Sequence, residues 1–514
     1  MALGGRSSGH GRIRHSLMSA NLFRHLVATA DPRDQWFTEP TPTCFKRSAM
    51  SMMETYWRRA RIRLRHDMRA RTLSLKASSD RQHALPSQRW FAHVASLAFI
   101  GLSLFALLGC YRSPTIVSGH LLQRGYLWQR AWNPAVIAAV QEAGKRMDGM
   151  VIIGAEIVWN GSTPETIRGN IDWNTLKNVR KPIALALRVA PYPGPFSRDD
   201  PAAKFITKVA TSLIADATSH QLEVSEFQLD FDCAQKKLSG YRLWVEAVRT
   251  AVRPTRFVIT TLPAWLNEAA FVPLVRAADG YVLQVHSVPV SSQNERSFLL
   301  DTNLARQWIK KAASFGIPFS VALPTYRCLA GYDKTGKLLG VAMDSVDLAW
   351  PPGTRTLDFS TDADDTAKLV SEWLSVRPAE LKELIWYRIP VATDQRNWRW
   401  PTLAAIMAGR NPIHKLQAIQ RGDNPIDYAI VNLGEADKLA GAKLTVRWVG
   451  ASLVSFDALP GWTVALEKTR AIFTRTHGSA MELSPGNERS VGWLRFDNAV
   501  NTESVAEEFS SDQQ

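Results

Sequence analysis

Metal-ligand spacing is missing from this chain. Its four cysteines, Cys44, Cys110, Cys233 and Cys328, form no CxxC motif and stand far apart. That excludes a zinc ribbon or finger, and neither a metal nor a cofactor is expected. Disulfides are not needed for a core of this size either. Cys233 and Cys328 could pair in an oxidising compartment, or stay free. No internal repeat is visible, which sets aside solenoids and propellers. Strong basicity is missing from most of the chain as well. The formal charge is +15, yet residues 1–90 hold 17 Lys/Arg against 6 Asp/Glu, so +11 of it lies there. The rest is only mildly basic, and no nucleic-acid partner is expected for the body of the protein.

One apolar run of export length is present. Phe91–Cys110 reads FAHVASLAFIGLSLFALLGC, after Arg81 and Arg89. A basic stretch followed by an apolar run is the plan of an export signal. Its end, Leu107-Leu108-Gly109-Cys110, resembles the bacterial lipoprotein processing box. The resemblance implies cleavage before Cys110 and lipidation of its sulfur, hence a membrane-anchored protein of the cell envelope. The alternative is an uncleaved membrane helix, for which the run is about long enough. Residues 1–90 are then expected to be a disordered basic extension or to precede the true start, with Met68 one candidate.

Beyond Cys110, short apolar strands alternate with helix-like segments. Strands are expected at 126–132, 149–159, 182–190, 226–234, 256–262, 280–286, 317–323 and 384–390. Helices are expected after Pro134, at 201–220, 241–252 and 301–315, and after Pro401. Eight such strands predict an α/β fold, a (β/α)₈ TIM-type barrel over 111–411. An open doubly wound sheet is the alternative. From about residue 412 the texture changes to strand-like runs, as in 428–431, 444–449 and 471–474. A small all-β, sandwich-like C-terminal domain is expected over 412–500, with a disordered polar tail at 501–514.

Inside a barrel, strand residues alternate between the centre and the helix layer. In the fourth strand Leu229 and Phe231 point one way, and Gln228, Asp230 and Asp232 the other. Apolar side chains belong against the helices, so the aspartates face the centre, about 6.6 Å apart along the strand. Closely placed carboxylates disfavour each other's ionisation, which would give one acid and one carboxylate. By the same phase argument Glu156 is a third catalytic candidate. Arg130, Trp132, Arg188, Gln284, His286, Tyr326, Trp386 and Arg388 are candidate substrate-binding residues. Most lie late in their strands, at the end where barrel sites form. Three arginines would balance three carboxylates. Further aromatics, among them Trp128, Trp159, Tyr192, Trp265, Tyr332 and Trp350, are expected near the mouth. The long connection from Arg327 to about Thr361 is expected to act as a lid or wall. Asp362, Asp364 and Asp365 mark a helix amino terminus rather than a calcium site.

The segment Glu226–Ala234 (EFQLDFDCA) resembles barrel glycosidases of the chitinase-like type, with Asp230 and Asp232 on its spaced aspartates. That family's acid glutamate falls on Ala234 here. The segments LWQRAW, EFQLDFDCA, ALPTY and ELIWYRIP, within Tyr126–Asn411, resemble the family called domain of unknown function 3142. The resemblance implies a barrel and no firm activity. A glycoside hydrolase-like protein acting on a polysaccharide or glycan of the envelope is therefore expected. The alternative is a non-catalytic envelope lipoprotein that binds a glycan or a protein through a degenerate barrel.

Overall fold

A computed structural model describes residues 115–508, apart from 162, 289–297, 344–348, 440 and 477–480. The extension over 1–90, the apolar run and Cys110 lie outside the described residues. Among the described residues, no helix is long and apolar enough to cross a membrane.

Eight strands make the barrel. They are β1 (Leu122–Leu127), β2 (Gly149–Asn160), β3 (Ile183–Val189), β4 (Val224–Phe231), β5 (Arg256–Thr261), β6 (Gly280–Gln284), β7 (Phe319–Pro324) and β8 (Leu381–Tyr387). Each pairs in parallel with the next, and β8 pairs back with β1, Tyr387 beside Tyr126. That last pairing closes the ring and excludes the open sheet.

Sequence sets the two faces of the ring. In β3, Ile183, Leu185, Leu187 and Val189 join the large core between strands and helices. Ala184 and Ala186 point inward, where they meet Tyr126, Val151, Val258, Val282, Ala322 and Ile385. Small alanines on one strand leave room for Tyr126 and the branched residues of its neighbours, which is how a closed barrel fills its interior.

The helices start where short polar caps fix them. Asn133 caps α1 (Pro134–Arg146), Asp172 caps α2 (Trp173–Val179) and Asp200 caps α3 (Pro201–Ser219). Next come α4 (Leu238–Val252), α5 (Phe271–Arg276) and α6 (Thr302–Ala313), the last capped by Asp301. Asp362 caps α7 (Ala363–Ser375) by accepting from the Asp365 amide, so the acidic run marks a helix start as expected. Finally α8 spans Trp400–Met407. No group of three His, Cys, Asp or Glu side chains suited to a metal occurs among the described residues.

Three expectations need correction, and one open alternative is decided. The first strand is Leu122–Leu127 rather than 126–132, and it buries Arg124 and Tyr126 on its inner face. The connection after β7 is not an open loop. Cys328–Tyr332, Leu338–Ala342 and Arg355–Phe359 form an antiparallel sheet with its own core around Tyr332, Val341 and Phe359. Cys233 and Cys328 are buried and free, so they do not pair. Residues Thr502–Glu508 are not a disordered tail but a strand.

That strand, β16, completes the second domain. One sheet there consists of β9 (Leu416–Arg421), β10 (Ile426–Asn432), β15 (Glu488–Phe496) and β12 (Leu453–Ala458). The other consists of β13 (Trp462–Glu467), β14 (Arg470–Arg475), β11 (Ala442–Trp448) and β16. Tyr428, Leu444, Trp448, Phe473 and Leu494 fill the space between them. The strand β16 pairs with β11 along its whole length, with Ala506 packed on the core, and that pairing outweighs the solubility of its glutamates. Between the domains, the Glu435 carboxylate accepts from the Arg410 guanidinium and the Ile413 amide, and its carbonyl accepts from Thr402.

Candidate functional site

The carboxyl ends of β2, β3 and β4 bring charge together by register. Glu156 sits beside Arg188, and Arg188 beside Asp230. Because strand neighbours at one level share a face, the three side chains form a row on the inner rim. Arg130, in the turn after β1, extends the row by donating to Glu156 at 3.0 Å. Signs therefore alternate around a quarter or more of the mouth.

Arg188 is the centre of this row. One guanidinium nitrogen donates to Asp230 Oδ2 at 2.6 Å and another to Asp232 Oδ2 at 2.7 Å. Burial alone would lower its pKa, but the two aspartates push it well above the usual arginine value. The forked cation removes the repulsion between the carboxylates.

The two aspartates differ in setting. Asp230 is 3% exposed, and its Oδ1 accepts from Thr260 at 2.6 Å and from Gln284 at 3.3 Å. Every neighbour donates to it, so it is an anchored acceptor. Asp232 follows the end of β4, its side chain is 19% exposed, and Arg188 is its partner. It is the aspartate a ligand could reach.

The opposite arc of the rim is aromatic. Tyr387, the last residue of β8, lies 5.4 Å from Trp128 and 5.6 Å from Tyr326, ring centre to ring centre. His286 stacks on Tyr387 at 5.8 Å and meets Tyr326 edge-on. The His286 Nδ1 faces the Ala322 carbonyl at 3.4 Å, which can only accept. The proton therefore sits on Nδ1 and the lone pair on Nε2. Burial holds the imidazole down at about 4, against smaller opposing effects of that carbonyl and of Asp230.

Several expected residues sit elsewhere. Trp386 points outward, fully buried, and donates to Gln123 in the helix-side core. The expected phase of β8 was inverted there, because Ile385 and Tyr387 are the ones that face the centre. A large apolar ring fills the wide outer layer at less cost than it fills the narrow barrel. Trp132 also packs against the helix-side core, with its indole N–H buried. Arg388 meets Asp394 at 3.5 Å. Trp265 and Tyr332 are buried in cores, and Trp159 stacks on Tyr192 at 4.6 Å. Trp350 lies on the hairpin at Gly331, where an added Cβ would come within 2.3 Å of its ring.

Two features were missed in the sequence. Thr260 reads as an ordinary strand residue until its register beside Asp230 is known. Deeper in the barrel lies a second charged layer. Arg124 donates to Glu226 at 2.9 Å and to Glu383 at 2.6 Å, Arg256 also meets Glu226, and Ser320 donates to Glu383 at 2.9 Å. Above it, Tyr126 donates to Gln228 at 2.7 Å and Gln228 to Glu226 at 2.7 Å. Glu226 shares the phase of Asp230 and was open to the same reading. This layer closes the lower end of the barrel, and Glu226 and Glu383 are 3% and 7% exposed.

Residues 182–392 match the model of the family described as Domain of unknown function (DUF3142). The family identified from short segments of the sequence is thus found over β3 to β8. No curated protein matches the chain. Among solved structures it is similar to the spore cortex-lytic enzyme SleL of Bacillus cereus, at 11% identity and a TM-score of 0.41, over 57% of this chain and 75% of that one. It is also similar to a chitinase from Chromobacterium violaceum, at 12% identity and a TM-score of 0.40, over 56% and 98%. The SleL enzyme of Bacillus megaterium stands at 12% and 0.39, over 58% and 75%.

Proposed function

We propose that the protein is a glycoside hydrolase-like, carbohydrate-active protein that holds a glycan in the mouth of its barrel. One observation carries the reading: the rim divides into a charged arc, with Arg188 forked between Asp230 and Asp232, and an aromatic arc around Tyr387. Sugar rings offer hydroxyls on their edges and apolar C–H faces, and such a rim meets both. Asp230 is the anchor, Arg188 the fork that aims the pair, and Asp232 the carboxylate that meets substrate. An anionic oxygen placed there stabilises the positive charge that develops at an anomeric carbon during cleavage. Glu156 on the next strand is the partner carboxylate that glycosidic cleavage needs.

The test is release of reducing sugar from a panel of envelope polysaccharides by the full chain and by Asp232→Asn. Release that drops on the order of a hundredfold or more in the variant supports the reading. Equal release by both overturns the assignment of Asp232. A second reading is favoured by Ala234, which stands where the chitinase-like pattern has its acid glutamate. In it the barrel binds a glycan without cutting it, and retention of an intact polymer by both proteins would be its mark.

The same reading places the protein at the cell envelope, anchored through Cys110. The basic stretch, the apolar run and the Leu-Leu-Gly-Cys ending support it. Cys110→Ala is expected to abolish incorporation of a labelled fatty acid. Undiminished labelling of that variant would refute the anchor.

A further inference from the structure

Along the described row from Arg130 to Asp232, the charges do not cancel. Among the described residues, Arg130 pairs with Glu156, and Arg188 alone faces both Asp230 and Asp232. The third arginine expected here, Arg388, is engaged with Asp394. Two cations against three carboxylates leave one negative charge in the row. It is not spread evenly. Asp230 is enclosed by three donors, whereas Asp232 has one and is more open. The excess therefore presents itself at Asp232. His286 adds no positive charge near neutrality, because burial keeps its imidazole uncharged.

The aromatic arc carries the same sign of preference by independent means. The ring faces of Trp128 and Tyr387 are electron-rich and attract cations at short range. Both side chains are half-buried, which strengthens such attraction by excluding water. A uronate or sulfate group would meet repulsion from both walls. Amino groups spaced along a polymer would meet a carboxylate at one arc and ring faces at the other.

From this charge excess and the ring faces opposite it, we infer that the ligand is a glycan carrying free amino groups, a glucosamine-type polymer rather than a fully N-acylated or acidic one. The inference rests on the proposal that the mouth holds a glycan, and it narrows the class. Asp232 would take the ammonium as a charge-assisted hydrogen bond while Arg188 holds its other oxygen. Selection then comes from the charge of the sugar and not from its ring shape.

The experiment is calorimetric titration of the full chain with β-linked oligomers of glucosamine and of N-acetylglucosamine and with α-linked galacturonate oligomers, at low salt and neutral pH. The glucosamine oligomer is expected to bind roughly tenfold more tightly than the N-acetylated one, and the galacturonate oligomer most weakly. Asp232→Asn should erase the gap, and Trp128→Leu should narrow it. Equal or tighter binding of the N-acetylated or acidic oligomer would overturn the inference while leaving a glycan-binding mouth intact. A non-sugar amine, 2-aminocyclohexanol, separates the remaining cases. Binding of the amine with no binding of any oligomer keeps the cation preference and removes the glycan reading. No binding of either removes both.

Discussion

Arg188 stands between two aspartates, and nothing else among the described residues shares its task at Asp232. Removing it strands one buried carboxylate and one half-buried one. Such losses cost about 3–5 kcal/mol, because the remaining charges have no compensation. Arg188→Met is therefore expected to lower the unfolding free energy by an amount of that size, read as a fall in the urea midpoint at unchanged slope. The double change Arg188→Met with Asp230→Asn should recover part of it. His286 gives a second expectation. Its folded-state value, held down at about 4, lies below the ordinary histidine value of 6.5. The neutral form is the one the fold prefers, so its contribution is fully present above pH 6.5. It is lost as pH falls from 6.5 towards 4. Thermal melts across that window should show a steeper decline for the native protein than for His286→Gln, by on the order of 2 kcal/mol at the acid end. Parallel curves would remove His286 from the account.

At the scale of elements, the antiparallel sheet after β7 is held by a ring laid on a glycine. An added Cβ at Gly331 would meet Trp350 at 2.3 Å, deep inside contact distance. Gly331→Ala is expected to displace Trp350 and cost about 1–3 kcal/mol, visible as loss of near-ultraviolet dichroism from that indole. This sheet was foreseen only as a long connection. Its strands are short, and its pattern of apolar and small residues gives no strong period. The barrel strands were legible because their outer faces run Ile-x-Leu-x-Leu in β3 and Phe-x-Leu-x-Phe in β4. The phase of β4 followed directly, and with it Asp230, Asp232 and their partners on β2, β3 and β6. In β8 the same argument failed because Leu384, Ile385, Trp386 and Tyr387 are all apolar or aromatic. With no polar side chain among them, alternation has nothing to mark which face is which. Thr260 and the Arg124–Glu226–Glu383 layer were hidden for another reason. They depend on register between strands distant in sequence, which a single strand does not encode.

Among the described residues, polar contacts fasten the barrel to the sandwich. Glu435 grips Arg410 through both its oxygens, and Arg327 meets Glu482. Hydrogen bonds from the Arg410 guanidinium hold the Glu435 carboxyl below its usual range. Both side chains are partly exposed, so water screens the pair and its share of stability is modest. Glu435→Ala is expected to leave each domain folded and to uncouple them. Calorimetry should then resolve two unfolding transitions where the native protein gives one, and a single unchanged transition would place the coupling elsewhere.

The barrel closes where β8 meets β1, and those two strands come from opposite ends of the barrel sequence. Trp128, Tyr126 and Tyr387 straddle that seam, whereas Glu156, Arg188 and Asp230 lie on consecutive strands away from it. During folding the charged arc can assemble as soon as β2, β3 and β4 are paired. The aromatic arc has no existence until the last strand arrives and the ring is complete. Any breathing of the seam in the finished protein likewise separates the aromatic rings while leaving the ion pairs in place. A ligand stacked on those rings would therefore act as a clasp across the joint.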